Sequence, residues 1–334
     1  MRQFIGIDVL KTLTPTRIRN VVHAKGSAVV SRLFKRHIVH GLPYVLTIEP
    51  TNRCNLRCPQ CVAGLGQLRR GRGIMEWSTY KTIIDQMAST SFYLLLYNQG
   101  EPFLHPDFVK MIRYAKMHRF YVTTSTNGHF LIDDGVVDVL VASELDSIII
   151  SLDGVDSTHY EQYRKGGDFN RVIDGIRLLQ RARKNHPAIF LQYLVMRHNE
   201  NRIPEIKRLA KDLKVDKLLL KTLQIEHPDD AEVLLPQNSR WRRYRTNTSD
   251  LQLKHSTTVP CSRLWTGMTV LWDGTVVPCC FDKHGQYPFG NVTQQPIHEI
   301  WRSLPYEKFR IHNLRARCDI DICTNCTQGQ AVYL

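Results

Sequence analysis

Three cysteines fall within eight positions of the stretch EPTNRCNLRCPQC: Cys54, Cys58 and Cys61, separated by three residues and then by two. Six more lie near the other end, at Cys261, Cys279, Cys280, Cys318, Cys323 and Cys326, and the 199 residues between Cys61 and Cys261 contain none. Thiols grouped this way in a reducing compartment point to metal or catalysis rather than to disulfides. Four thiolates close a site, as in structural zinc or electron-transfer centres. Three thiolates on a 4Fe–4S cluster leave one iron open for a substrate or cofactor. The bland alternative is a zinc site with a distant fourth ligand, but zinc sites seldom take three cysteines at this spacing from one loop.

The chain that must position these groups has 334 residues, enough for about two domains and a large buried core. No run of about 18 apolar residues is present, which argues against a membrane span. Arg2, Asp8 and Lys11 interrupt the N-terminus, which therefore does not read as a secretory signal, and a cytoplasmic location is expected. The net charge of +14 and pI of about 9.4 favour an anionic partner, although a solvated basic surface is the commoner cause.

From Tyr44 onward, β-branched apolar runs alternate with helical patterns. YVLTIEP, FYLLLYNQG, FYVTTSTNG, DSIIISLDG, AIFLQYLVM and KLLLKTLQI read as strands. Trp77–Ser89, Asp107–His118, Asp134–Ser143, Asn170–Lys184 and Ile203–Leu213 read as helices. Strands this apolar are covered on both faces, so the pattern predicts a parallel sheet with helices outside. Six βα units are too few for a complete eight-fold barrel, and a partial, open barrel fits better. Small and polar residues sit at the predicted strand ends: Gly100-Glu101-Pro102, Thr126-Asn127-Gly128, and Ser151 with Asp153-Gly154. In parallel α/β folds those C-terminal ends carry the active site.

CNLRCPQC resembles the CxxxCxxC signature of the radical S-adenosylmethionine (SAM) superfamily. The resemblance implies a 4Fe–4S cluster on Cys54, Cys58 and Cys61 whose fourth iron is chelated by SAM. It implies reductive cleavage of SAM to a 5′-deoxyadenosyl radical that abstracts hydrogen from an unactivated carbon, with the protein supplying orientation. YNQGEP resembles the family's GGEP stretch, with Gln99 in place of the first glycine; Gly100 and Glu101 would then meet the SAM amino group. Ser151 in ISLDG, Asn127 in STNG and, as a weaker match, Gln192 in LQYLVM resemble other cofactor contacts. A reductant of flavodoxin or ferredoxin type is implied.

The C-terminal cysteines flank a predicted β-hairpin: Asp273-Gly274 is a strong turn pair between Val270, Leu271, Trp272 and Val276, Val277. CDIDICTNC then ends in a CxxC pair. This arrangement, with the FGNVTQQPIHEIW segment, resembles the SPASM or "twitch" extension of radical SAM enzymes. The full pattern has seven cysteines and two clusters; six cysteines here resemble the single-auxiliary-cluster, aminoglycoside-type radical SAM dehydrogenases. The resemblance assigns Cys261, Cys279, Cys323 and Cys326 to one auxiliary 4Fe–4S cluster, with Cys318 able to replace one of them. A second cluster closed by four thiolates suits electron transfer. Cys280 is either a small buried residue or, like Cys318, a hydrogen donor for radical epimerisation. Asp282 could act as a base for the substrate or support the cluster loop.

Arg69, Arg70 and Arg72 could clamp a substrate phosphate or carboxylate, or simply be solvated. RWRRYR at 240–245 has an aromatic-basic texture but no surrounding RNA-binding module, so it reads as a structural cap on a linker. His105 and His284 read as structural. Thr14 and Pro15 predict a helix start and Gly26 its stop; a second basic amphipathic stretch with Val29, Val30, Leu33 and Phe34 on one face follows. It could dock on the barrel or touch an anionic membrane surface.

The expected architecture is α/β: a basic helical extension over 1–43, a partial (β/α)6 barrel over 44–225, a linker over 226–260 and a small auxiliary-cluster domain over 261–334. The leading reaction is two-electron oxidation of a polar small molecule, a sugar or phosphorylated metabolite. Radical epimerisation or another C–H modification of a sugar, peptide or lipid is the second reading. A zinc-stabilised nucleic-acid-binding protein is the third.

Overall fold

The structure is a computed structural model that describes residues 7–245, 251–254 and 258–327. Within these residues the chain divides into two compact units, each drawn from separate segments. The first takes its described residues from Met1–Arg53, Leu68–Thr124 and Thr257–Gln328, the second from Cys54–Gln67 and Ser125–Ser256.

The first unit opens with helix α1 (Pro15–Phe34). Thr14 caps it by accepting from the Arg17 amide at 3.3 Å, and Pro15 fills the first turn, as the sequence predicts. Gly26 does not stop it. The helix runs straight through that residue, because polar side chains on both sides of it are anchored. Arg17 and Asn20 lie before Gly26 and Ser27 and Ser31 after it, and all four are buried and bonded to loop backbone.

Strand β1 (Val45–Ile48), helix α2 (Trp77–Met87), strand β2 (Tyr93–Leu95), helix α3 (Phe108–Met117) and the start of strand β3 (Tyr121–Thr126) follow. The strands are parallel, β2 pairing with β1 (Val45↔Tyr93) and with β3 (Tyr93↔Tyr121). α2 packs through Tyr80, Ile83, Ile84 and Met87, the i, i+3, i+4, i+7 stripe of an amphipathic helix, all at most 1 % exposed.

The second unit contains α4 (Val136–Val141), β4 (Ser147–Ser151), α5 (Ser157–Tyr163), α6 (Phe169–Ala182), β5 (Ala188–Val195), α7 (Ile203–Asp212), β6 (Lys217–Thr222) and α8 (Ala231–Leu234). β4, β5 and β6 are parallel neighbours, with Ser151 opposite Gln192. α6 is capped by Asp168, which accepts from the Arg171 amide at 3.1 Å, and buries Val172, Ile176 and Leu179. Helix α5 has no counterpart in the sequence reading. Its cap Asp156 accepts from the His159 amide at 2.8 Å, but its seven residues are too few for a periodic apolar stripe.

The chain then returns to the first unit as α9 (Arg263–Thr266), β7 (Gly267–Val270), β8 (Thr275–Val277), β9 (Gly290–Asn291), α10 (Ile297–Trp301), α11 (Leu304–Ala316) and α12 (Asp321–Thr324). β7 and β8 form the predicted antiparallel hairpin, with Gly274 at φ 85° in its turn. β7 also pairs in parallel with β1 along its whole length, Val45↔Gly267 to Ile48↔Val270, so the hairpin extends the same sheet. Among the described residues no helix is long and apolar enough to cross a membrane.

Candidate functional site

In the second unit the three-cysteine loop lies on an apolar bed. Cys58 is buried with Leu56, Tyr163, Met196, Leu223 and Ile225, and Cys54 and Cys61 pack against that cluster. Each sulfur has a donor directed at it. The Leu56 amide meets Cys54 Sγ at 3.4 Å, the Gly64 amide meets Cys61 Sγ at 3.4 Å, and Arg164 Nη1 stands 3.9 Å from Cys58 Sγ. Burial pushes the Cys58 thiol up, and Arg164 opposes that shift. Thiolates on iron accept this kind of N–H···S support, so the donor set fits an iron–sulfur cluster.

Arg164 stands in no motif of the sequence. It is held by Asp153, fully buried, through Nε and Nη2 at 2.6 Å each, and the other Asp153 oxygen accepts from the Leu194 amide at 2.7 Å. The signal in the sequence is a carboxylate just after a strand and an arginine eleven positions later, which is too generic to use alone.

Asn127, just after β3, and Ser151, the last residue of β4, are both at most 7 % exposed. Asn127 Nδ2 donates to Asn55 Oδ1 at 2.7 Å, which ties the β3 end to the cysteine loop. Gln192 is half-buried, and Lys221 donates to its Oε1.

In the first unit Gly100 has φ +80°, and a Cβ there would stand 2.6 Å from the Arg53 carbonyl oxygen and 2.7 Å from that of Thr51. Only glycine lets the β2 end approach that backbone so closely. Glu101 is buried, its amide donates to the Arg53 carbonyl at 2.7 Å, and its Oε1 accepts from Phe103 N at 3.3 Å. Nearby, Glu49 is fully buried at the end of β1 and bonded on every side. Arg70 binds it with two 2.7 Å bonds, Asn98 Nδ2 donates at 3.0 Å, and the amides of Gln99 and Trp272 donate at 3.2 and 3.4 Å. Arg70 Nε also donates to the Lys283 carbonyl at 2.7 Å. Arg70 is thus an internal clamp and not a free anion receptor.

The four C-terminal cysteines named above meet. Cys261, Cys279, Cys323 and Cys326 line one cavity of the first unit, together with Arg263, Arg317 and the apolar Leu264 and Phe309. Burial pushes the Cys279 thiol well up, with the neighbouring Cys280 adding to the shift. A thiol-lined, largely apolar cavity with two guanidiniums fits a soft, anionic iron–sulfur cluster. Cys280 and Cys318 do not line it. Arg263 Nη1 stands 3.8 Å from Cys280 Sγ, whereas Cys318 is exposed and donates to Asp319 at 3.3 Å.

Asp282 is fully buried and accepts from the amides of Gln286 and Tyr287 at 2.8 and 2.9 Å. Burial raises its pKa against those bonds. Its carboxylate holds the loop that follows Cys279. Among the described residues no three His, Cys, Asp or Glu side chains close on a single metal ion. The ligands of a cube-shaped cluster stand further apart than those of one ion. His105 is structural, bonding the Met75 carbonyl and the Asp107 amide, and His284 accepts from the Arg69 amide. In RWRRYR, Arg242 and Arg243 donate to the carbonyls of Pro236 and Thr222, and Tyr244 is buried.

Comparison with known proteins agrees with this geometry. Residues 48–210 match the family model of the radical SAM superfamily, and residues 261–327 match that of SPASM, an iron–sulfur cluster-binding domain. The chain belongs to the radical SAM superfamily and carries a C-terminal SPASM domain, and its cofactors are 4Fe–4S clusters and SAM. The partial barrel expected from the six βα units is the fold of this family.

The chain is 25% identical to the tungsten-containing aldehyde ferredoxin oxidoreductase cofactor-modifying protein of Pyrococcus furiosus, over 86% of this chain and 88% of that one. It is 26% identical to the PqqA peptide cyclase of Gluconobacter oxydans, over 80% and 79%. The crystal structure of BtrN in complex with AdoMet and 2-DOIA has the same fold, with a TM-score of 0.53 and 18% identity over 87% of this chain and 95% of that one. The zinc-stabilised nucleic-acid-binding reading is set aside by the family match.

Proposed function

We propose that this enzyme removes two electrons and two protons from a carbon bearing an OH or NH group in a polar small molecule, giving a carbonyl or imine. With Cys54, Cys58 and Cys61 as ligands, the bound cluster and SAM supply the hydrogen-abstracting 5′-deoxyadenosyl radical. Asn127 and Ser151 contact SAM, with Gln192 as a weaker member of the set, and Arg164 supports Cys58. Gly100 and Glu101 keep the cofactor role that the family resemblance gives them. A one-electron donor of flavodoxin or ferredoxin type serves as reductant.

The observation that carries the oxidative reading is the four-cysteine cavity. Cys261, Cys279, Cys323 and Cys326 line it together, while Cys280 and Cys318 stay outside. Four protein thiolates leave no open coordination position for a substrate, which suits an electron acceptor. Asp282 serves the loop and not the substrate, since both its oxygens are taken by amides. A peptide substrate is a second reading, favoured by the likeness to the PqqA peptide cyclase.

The test is product mass against SAM consumption. The Cys323→Ala/Cys326→Ala variant should still form 5′-deoxyadenosine but lose a product two hydrogens lighter than substrate. Cys280→Ala and Cys318→Ala should keep that product. A wild-type product of unchanged mass that takes up solvent deuterium, and that vanishes in Cys280→Ala, would replace oxidation with epimerisation.

A further inference from the structure

Helix α1 is inside out. Its buried side is polar or small: Arg17, Asn20, Ala24, Ser27, Ala28 and Ser31. Those polar groups are not desolvation penalties, because each is bonded. Arg17 donates to the carbonyls of Ala88 and His118, at 2.7 and 2.8 Å, and so caps the C-terminal ends of α2 and α3. Asn20 donates to the Leu42 carbonyl at 3.0 Å and accepts from its amide at 2.8 Å. Ser31 Oγ bonds the carbonyl and amide of Ile38, at 3.0 Å each. At Gly41 the backbone comes so near Ala24 that a Cβ would stand 2.6 Å from its amide nitrogen.

The opposite side is apolar and faces solvent. Ile18, Val22, Val29 and Leu33 recur at helical spacing along one line, with Phe34 at the end and Leu10 just before the helix. All six are between 50 and 71 % exposed. A helix ordinarily buries such a stripe. Lys25 lies in the same line, between Val22 and Val29, where its long stem can run along the apolar surface; the exposed Arg19 and Arg32 flank the stripe, and Arg36 follows the helix end. Between Asp8 and Glu49 the sequence has seven lysines and arginines and no carboxylate.

We propose that this outward face of α1 binds an anionic lipid bilayer, lying in the headgroup plane with the apolar stripe down and the cations against lipid phosphates. The charge selects the occupant. A protein partner for an apolar stripe needs no such uniform cation border, whereas an anionic membrane attracts both the stripe and its border. The helix is docked through its polar side, so the apolar face is presented ready-made. The sequence alternatives of docking on the protein and touching a membrane are therefore not exclusive. The inference is independent of the proposed reaction.

The test is co-sedimentation of the full-length holoenzyme with vesicles of phosphatidylcholine alone, or of phosphatidylcholine with a third phosphatidylglycerol. The wild type should sediment with the anionic vesicles and be released by salt. Arg19→Glu/Lys25→Glu/Arg32→Glu should weaken binding by at least roughly a hundredfold, at roughly fivefold per cation removed. Ile18→Ser/Val22→Ser/Leu33→Ser should weaken it comparably. Both variants change only exposed side chains, so their circular dichroism melts should match the wild type and separate lost binding from lost folding. Equal binding to both vesicle types, or none by the wild type, overturns the proposal. So does a wild-type dimer that the serine variant makes monomeric without any vesicle binding; the stripe would then pair with a second copy.

Discussion

The two cysteine sets are assembled in opposite ways. Cys54, Cys58 and Cys61 come from one loop, and two of the three sulfurs are met by amides from that same loop, of Leu56 and Gly64. Cys261, Cys279, Cys323 and Cys326 come from three segments, before α9, after β8 and around α12, and meet only when the hairpin and the C-terminal helices are in place. The first set can be organised by local backbone turns. The second is a product of tertiary structure, although its nearest arginine is local: Arg317 Nη2 lies 3.6 Å from Cys326 Sγ, nine residues on, whereas Arg164 reaches Cys58 of the first set from 106 residues away. A three-thiol loop keeps a coordination position for a cofactor, and a four-thiol cavity does not.

The largest expected effect separates the two sets outright. After anaerobic reconstitution, a Cys54→Ala/Cys58→Ala/Cys61→Ala variant should fall from about eight irons per chain to about four. It should lose all 5′-deoxyadenosine formation and keep the brown absorbance of the other cluster. Loss of all iron in this variant would show that the four-thiol site depends on the loop and that the two sets are not assembled independently.

A stability measurement sharpens the tertiary side of the contrast. The hairpin that leads to Cys279 is pinned by charge: Glu49, at the end of β1, accepts from the Trp272 amide, and Arg70 joins Glu49 to the Lys283 carbonyl. Glu49 is fully buried and the Arg70 side chain 9 % exposed, so breaking the pair strands a charge. Glu49→Gln should cost about 3–5 kcal/mol in denaturant unfolding. Adding Arg70→Met should recover part of that loss, because it removes the orphaned cation. A cost below about 1 kcal/mol, the range of exposed pairs, would mean that the network does not hold the hairpin.

What the sequence could say follows the same division between local and long-range structure. The six strands and five of the helices were legible, since each carries its own periodicity or caps; α2 was expected over Trp77–Ser89 and runs Trp77–Met87. The hairpin turn at Asp273-Gly274 was legible for the same reason. The pairing of β7 with β1 was not, because parallel partners far apart in sequence leave no local trace. Arg70 illustrates the limit at the site. Its loop reads as an anion receptor, and only folding reveals that Glu49 is the anion. α1 shows the converse. Its residues were legible, but the apolar-in rule gives the wrong face: Arg17, Asn20 and Ser31 are buried and bonded to loop and helix-end carbonyls, and Ile18, Val22, Val29, Leu33 and Phe34 lie outside.

The smallest effect concerns the local side, where a proton decides the geometry. His129 Nε2 accepts from the Asp168 amide at 2.8 Å, so that nitrogen carries a lone pair and Nδ1 carries the hydrogen. Nδ1 lies 3.0 Å from Asn127 Oδ1, and Asn127 in turn donates to Asn55 in the cysteine loop. Burial pushes the ring below its ordinary value of 6.5, because the charged form would be desolvated. Protonating Nε2 would also set one N–H against another. The folded pKa is therefore below the unfolded one, and the native state binds fewer protons. Stability from the neutral ring is complete above pH 6.5 and is lost as pH falls from there through the depressed folded value. The thermal midpoint of the wild type should drop more steeply below pH 6.5 than that of His129→Gln, whose side chain does not titrate. SAM binding should weaken modestly over the same window, as Asn127 loses the ring that orients it. Parallel pH profiles for the two proteins, or a His129 ring that titrates at or above 6.5 by NMR, would remove the ring from the support of the loop and leave the backbone amides as its only local organisers.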